Sequence, residues 1–184
     1  MNDPMAEKTL GTRRIFEGRA LTIDIVDIEL PTGRTSTREI LRHHGAVCIL
    51  AQRPDGAFIL VNQYRKAVEK TLLECVAGCM EPGESPDSAA LRETREESGY
   101  EVESLVALGQ SLPAPGYCDE VHYHFYARLK PMAGALQLDT DENLCPVALT
   151  AEAIDSAIED GTIDDGKTII LWNFYQRALR RGIL

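Results

Sequence analysis

A chain of 184 residues suits one domain with a real core and leaves room for a small N-terminal extension. Hydrophobic residues make up 44%, as in a globular protein, and 29 acidic against 19 basic residues give a formal charge of −10, which disfavours sequence-independent binding to nucleic acid or to an anionic membrane. No apolar run of about 18 residues and no signal-like N-terminal stretch occur, so nothing points to the membrane and a cytoplasmic location is the expectation.

The first eight or so residues read as a loose tail. From about Thr12 to His43 the pattern is strands with turn punctuation: Leu21, Ile23, Ile25 and Ile28 precede the Pro31-Thr32-Gly33 turn, and Thr35 to Leu41 returns. This predicts a small antiparallel N-terminal sheet over residues 1–44, ahead of a main domain over 45–184. Ala46 to Leu50 and Phe58 to Tyr64, joined by Pro54-Asp55-Gly56, predict a buried hairpin. Leu72 to Val76, Val102 to Leu108 and Val121 to Leu129 read as further strands, with His122 and His124 alternating onto one strand face.

Between Gly78 and Tyr100 the chain reads GCMEPGESPDSAALRETREESGY. Ser85 is a good N-cap, Pro86 fits the first helical position, Asp87 suits the positive helix start and Gly99 suits the left-handed residue after the end, so a helix over Pro86 to Ser98 is predicted. A second helix is expected over Ala151 to Glu159. A third, from about Lys167 to Arg180, carries Ile170, Phe174 and Ala178 at i, i+4 and i+8 as its buried stripe. Strands with helices on both faces make the expected class α/β, an α/β/α sandwich with a mixed sheet. The five cysteines (Cys48, Cys75, Cys79, Cys118, Cys145) form no CxxC pair and are expected as reduced thiols. With His43, His44, His122 and His124 they match no standard zinc spacing.

On the first helix Glu93, Glu96 and Glu97 fall within an arc of about 100°, and like charges at that spacing cost a bare helix about 0.2–0.5 kcal/mol per pair. One reading is a solvated face laced with salt bridges, with Arg92 offsetting Glu96. The other is a carboxylate cluster for a hard divalent cation, Mg²⁺ or Mn²⁺, shared with phosphate oxygens. A metal held there would favour attack of water on a phosphoanhydride, and that reaction needs a base. Asp139-Thr140-Asp141-Glu142-Asn143 is the best segment to supply one, though taken alone it reads more readily as an ordinary solvated acidic turn.

Gly78, Glu84, Arg92, Glu93, Glu96, Glu97 and Gly99 occupy all seven fixed positions of G-x5-E-x7-R-E-U-x-E-E-x-G-U, U being apolar, so the run resembles the Nudix box. Thr94, where an aliphatic residue is preferred, and Tyr100 are the departures. Arg38-Glu39-Ile40 with Arg42 to Val47, Gln63-Tyr64-Arg65, Leu73 to Gly78 and Pro115-Gly116 with Glu120 resemble the ADP-ribose pyrophosphatase and nucleoside-diphosphate-sugar hydrolase branch, with Val76 where proline is usual.

The resemblance implies metal-dependent splitting of ADP-ribose into AMP and ribose 5-phosphate, with GDP-mannose or a UDP-sugar as the alternative substrate and a non-catalytic nucleotide sensor as the alternative class. It implies metal ligation by Glu93 and Glu97 with Glu96 and the Ala77 carbonyl, and a base at Glu142, with Asp141 left open. It also implies substrate contacts from Arg38, Glu39, Arg65 and Glu120, with Phe16 either stacking on a base or lying in the core. Glu84 and Arg92 orient the ligands. A homodimer with exchanged N-terminal sheets, whose Arg38 and Glu39 reach the nucleoside, completes the expectation.

Overall fold

The computed structural model describes residues 3–18, 21–136 and 143–184. The chain divides into two compact units, residues 1–44 with 112–121, and residues 45–111 with 122–184.

In the first unit β1 (Lys8–Glu17), β2 (Thr22–Glu29) and β3 (Thr35–Arg42) form an antiparallel sheet in the order β1-β2-β3. Alternation along β2 buries Asp24, Val26 and Ile28 on one face. Buried Asp24 accepts from Arg14 Nε at 3.1 Å and Arg42 Nε at 3.0 Å, and hydrogen bonds from Arg42 and then Arg14 hold its carboxyl below the ordinary range despite the cost of burial. The expected loose tail is shorter than predicted: β1 starts at Lys8, and the carboxylate of Glu7 pairs with Arg38. Phe16 is half-exposed and outside any core. Segment 112–121 joins this unit through β3, where Leu41 N donates to Tyr117 O at 2.8 Å and Asp119 N to Leu41 O at 3.2 Å.

The second unit is a six-stranded mixed sheet in the order β7-β8-β4-β6-β5-β9. Its strands are β4 (Ala46–Gln52), β5 (Phe58–Arg65), β6 (Lys70–Cys79), β7 (Tyr100–Ser111), β8 (His122–Ala133) and β9 (Leu144–Leu149). The strand alternation supplies two cores. Val47, Ile49 and Ala51 with Ile59 and Val61 pack beneath Ala89 and Ala90 of α1 (Pro86–Ser98). Cys48, Leu50, Phe58 and Leu60 pack beneath Ile154 of α2 (Ala151–Glu159) and Leu171, Trp172 and Tyr175 of α3 (Gly166–Arg180). The unit is therefore the α/β/α sandwich with a mixed sheet.

Three details differ from the sequence reading. The 46–64 hairpin is a hairpin only at its tip, Ala51–Ile59 and Gln52–Phe58, because β6 inserts between the two strands and takes their hydrogen bonds. Strand β9 was not anticipated; Pro146 demotes the segment as a central strand but is tolerated on the edge it occupies. The buried stripe of α3 is Thr168, Leu171, Trp172, Tyr175 and Ala178, rotated from the expected one, since the large rings of Trp172 and Tyr175 claim the sheet around Phe58. The cysteines among the described residues are free thiols.

His122 and His124 do share a face of β8, their ring centroids 6.2 Å apart. His124 is fully buried against Phe174, with Nε2 2.8 Å from Ser111 Oγ and no partner for Nδ1 among the described residues. A stranded lone pair costs less than a stranded N–H, so the proton belongs on Nε2. Burial, with His122 adding to it, pushes His124 down to about 4. The unfolded chain takes up that proton near pH 6.5, so stability is expected to fall as pH drops from about 6.5 to about 4, by roughly 3 kcal/mol from this residue. Urea midpoints between pH 7 and 4.5 should show the loss, and the His124→Gln protein should show a flatter profile; identical slopes would exclude His124 as the source.

Candidate active site

Helix α1 begins where Ser85 Oγ accepts from Ser88 N at 3.2 Å and ends at Gly99, whose φ of 73° suits a residue without Cβ. A side chain there would also strike Gly134 O at 2.8 Å. Thr94, the polar departure from the motif, is fully buried, and its hydroxyl donates to Ala90 O at 2.7 Å, so the helix itself satisfies the extra polar group.

The face carrying Glu93, Glu96 and Glu97 is not solvated: Glu97 is 1% and Glu93 7% exposed. Arg92 organises the carboxylates. Its Nε and Nη2 grip Glu84 at 3.0 and 2.9 Å, its Nη1 reaches Glu93 at 2.6 Å and Glu96 at 3.0 Å, and Nη2 also donates to Cys79 O at 3.1 Å. The Glu84 contact, ahead of the charges of Glu93 and against the cost of burial, raises the Arg92 pKa well above its ordinary value, so this guanidinium is a permanent cation. Arg92 thus bridges three carboxylates where the sequence suggested one. Across from it, Ala77 N of β6 donates to Glu97 Oε2 at 3.1 Å. Glu93 lies so close to the backbone of Gly78 that a Cβ there would stand 1.9 Å from its Oε1.

Among the described residues no three His, Cys, Asp or Glu side chains are already gathered as a metal cage. The donor types nevertheless fit a hard cation: two buried carboxylates and a third beside them, all oxygen, in surroundings that make uncompensated negative charge costly. Arg92 supplies that compensation here, and a divalent ion would take over part of its hold on Glu93 and Glu96.

Arg65, at the end of β5, makes a side-on pair with buried Glu74 of β6, Nε to Oε1 at 2.9 Å and Nη2 to Oε2 at 2.7 Å. Lys167 of α3 also contacts Glu74 Oε2. Burial pushes the Glu74 carboxyl up, but Arg65 and Lys167 outweigh it and leave it below its ordinary value. The side-on pair leaves Nη1 of Arg65 with no partner among the described residues.

In the first unit a cleft of about 470 Å³ is lined by Glu7, Arg38, Ile40 and Arg42 from one side and by Leu112, Pro115, Tyr117 and Asp119 from the other. Arg38 is held by Glu7, and Arg42 Nη1 donates to Asp119 Oδ2 at 3.0 Å. Glu39 points to the other face of β3 and is exposed. Glu120 has its carboxylate 3.5 Å from His43 Nδ1. The structure therefore gathers Ala77, Glu93, Glu96 and Glu97 in one unit, with Arg65 paired to Glu74 there, while Arg38 and Glu120 belong to the other. Glu142 and Asp141 lie outside the described residues. Sequence reasoning missed Arg42 and Asp119 as cleft residues; β3 runs one residue past the expected Leu41 end, and the even spacing of Arg38, Ile40 and Arg42 was the available signal for Arg42. It also missed the Glu74–Lys167 contact, which pairs positions far apart in the chain and leaves no local trace.

Residues 42–170 match the model of the NUDIX domain. Over 92% of both chains the protein is 40% identical to the methanol dehydrogenase activator of Bacillus methanolicus. It is 36% identical to the ADP-ribose pyrophosphatase of Bacillus subtilis over 94% of each, and 33% identical to the GDP-mannose pyrophosphatase of Yersinia enterocolitica over 88% of each. A crystal structure of an ADP compounds hydrolase superposes with a TM-score of 0.84 at 23% identity, covering 99% of this chain and 98% of the other, which speaks for the fold. No helix among the described residues is long and apolar enough to cross a membrane. With the helix, its capped loop and its carboxylate face all where the seven motif positions require them, the chain belongs to the NUDIX family.

Proposed function

We propose that the chain is a metal-dependent pyrophosphohydrolase of nucleoside-diphosphate sugars, with ADP-ribose as preferred substrate and AMP and ribose 5-phosphate as products. The observation that carries the reading is the buried carboxylate face of α1 held by Arg92. Glu93, Glu96, Glu97 and the Ala77 carbonyl would hold the ion, Mg²⁺ or Mn²⁺. When bound, such an ion neutralises phosphate oxygens and lowers the pKa of bound water.

The chain's own residues do the rest. Arg92 and Glu84 keep the carboxylates aimed, and Arg65 offers its outer edge to a phosphate oxygen, a task suited to a planar guanidinium. Glu142 accepts the proton of the attacking water. Arg38, Glu39 and Glu120 contact the substrate, in a cytoplasmic homodimer with exchanged N-terminal sheets.

Relatives named for ADP-ribose and for GDP-mannose keep both substrates in play, and the 36% relative over 94% of the chain favours the first. Hydrolysis of ADP-ribose, GDP-mannose and UDP-glucose, each with and without Mg²⁺, tests the proposal. The expected result is Mg²⁺-dependent AMP release with ADP-ribose fastest; turnover of none of the three would overturn the reading, and a faster GDP-mannose rate would replace its substrate.

A further inference from the structure

Lys167 occupies an electrostatically awkward place. It is the second residue of α3, where the helix dipole disfavours a cation, and its side chain is only 14% exposed. Burying a lysine at a positive helix end does nothing for the helix, so its partners must account for it. Those partners are Asp165, the N-cap of α3, at 3.0 Å, and Glu74.

Glu74 is 1% exposed and already has a counter-ion in Arg65. A one-to-one pair would suffice for neutrality. The second cation changes what Arg65 can do. Glu74 Oε2 is shared between Arg65 Nη2 and Lys167 Nζ, so part of the carboxylate's charge is drawn to the lysine and less is left to quench the guanidinium. The double contact also stops the carboxylate rotating, which fixes the plane of Arg65 and the direction of its unengaged Nη1. Thr168, the next residue of α3, is tied in as well: its hydroxyl accepts from Cys75 N at 2.8 Å, so the start of α3 is registered to the strand that carries Glu74.

We propose that Lys167 is a positioning residue which, through Glu74, orients Arg65 and keeps its positive charge available for the diphosphate of the substrate. This rests on the hydrolase reading above. An interaction made with the diphosphate in both ground and transition states governs KM more than kcat.

The test is steady-state kinetics of Lys167→Met and Lys167→Arg, on whichever of the three nucleoside-diphosphate sugars the parent hydrolyses fastest. Lys167→Met is expected to raise KM about tenfold with kcat within about threefold of the parent, and Lys167→Arg to restore most of the loss. Thr150→Ala, which removes the side chain that caps α2 by accepting from Ala153 N, serves as the control for a general loss of stability. It should lower the melting midpoint without moving KM.

An unchanged KM in folded Lys167→Met, or a KM change matched by Thr150→Ala, overturns the inference while the parent's turnover leaves the hydrolase reading standing. A Lys167→Met protein too unstable to assay shifts the decision to Lys167→Arg: parental KM supports the positioning role, and a raised KM at parental stability refutes it. A parent that turns over none of the three removes both readings.

Discussion

Glu97→Gln is expected to lower Mg²⁺-dependent turnover of ADP-ribose by about 100-fold or more while the protein stays folded. The amide is the same size as the carboxylate and its oxygen can still accept from Ala77 N, so the contact between α1 and β6 survives. What disappears is a negative charge buried at 1% exposure on the face that also carries Glu93 and Glu96. Removing one of three crowded carboxylates relieves repulsion, so the melting midpoint should stay level or rise, and this separates loss of chemistry from loss of fold. Activity and melting curves measured on one preparation decide it. A parental rate would mean that Glu97 is a structural carboxylate and that the ion is held elsewhere.

Gly78→Ala should be nearly as damaging by a different route. The added Cβ would meet the Glu93 carboxylate at 1.9 to 2.4 Å, far inside van der Waals contact, and the obstacle is the end of a movable side chain rather than backbone. The fold therefore yields by displacing Glu93, which breaks its contact with Arg92 Nη1. A loss of about 10- to 100-fold in kcat is expected, with the spectrum of the folded protein retained. Raising Mg²⁺ should recover part of the rate if Glu93 is pushed aside but still within reach. A folded Gly78→Ala protein with the parental rate would show that Glu93 takes no part in turnover.

The parts of the molecule legible in the sequence are those whose signals are local. Ser85, Pro86 and Gly99 bound α1 to the residue because caps act within a turn or two; for the same reason the alternation in β2 marks its buried face and the unbroken apolar run of β4 marks a strand buried on both faces. Insertion of β6 between β4 and β5 was not legible, since a tight turn announces only that a hairpin starts, not how far it continues. The face of α3 was misjudged because periodicity weighs Ile170 and Trp172 alike, whereas the indole can also donate to Asp155 Oδ1, at 2.6 Å, once it is turned inward. At the site, the carboxylates and Arg92 were legible from spacing. Arg42 with Asp119, and Lys167 with Glu74, were not, because each pairs residues that only the folded backbone brings together.

The central position of β4 constrains how this protein can be made. Its six buried residues are flanked by β6 on one side and by β8, in parallel, on the other, with Ala46 opposite His122. Neither neighbour precedes β4 in the chain, and the parallel partner emerges only after the whole of α1 and β7. A nascent chain that has completed the motif helix therefore still exposes one edge of its most apolar strand, and closing so long a loop is slow relative to local pairing. Any fragment ending before residue 122 should be a poor folder and prone to self-association through that edge.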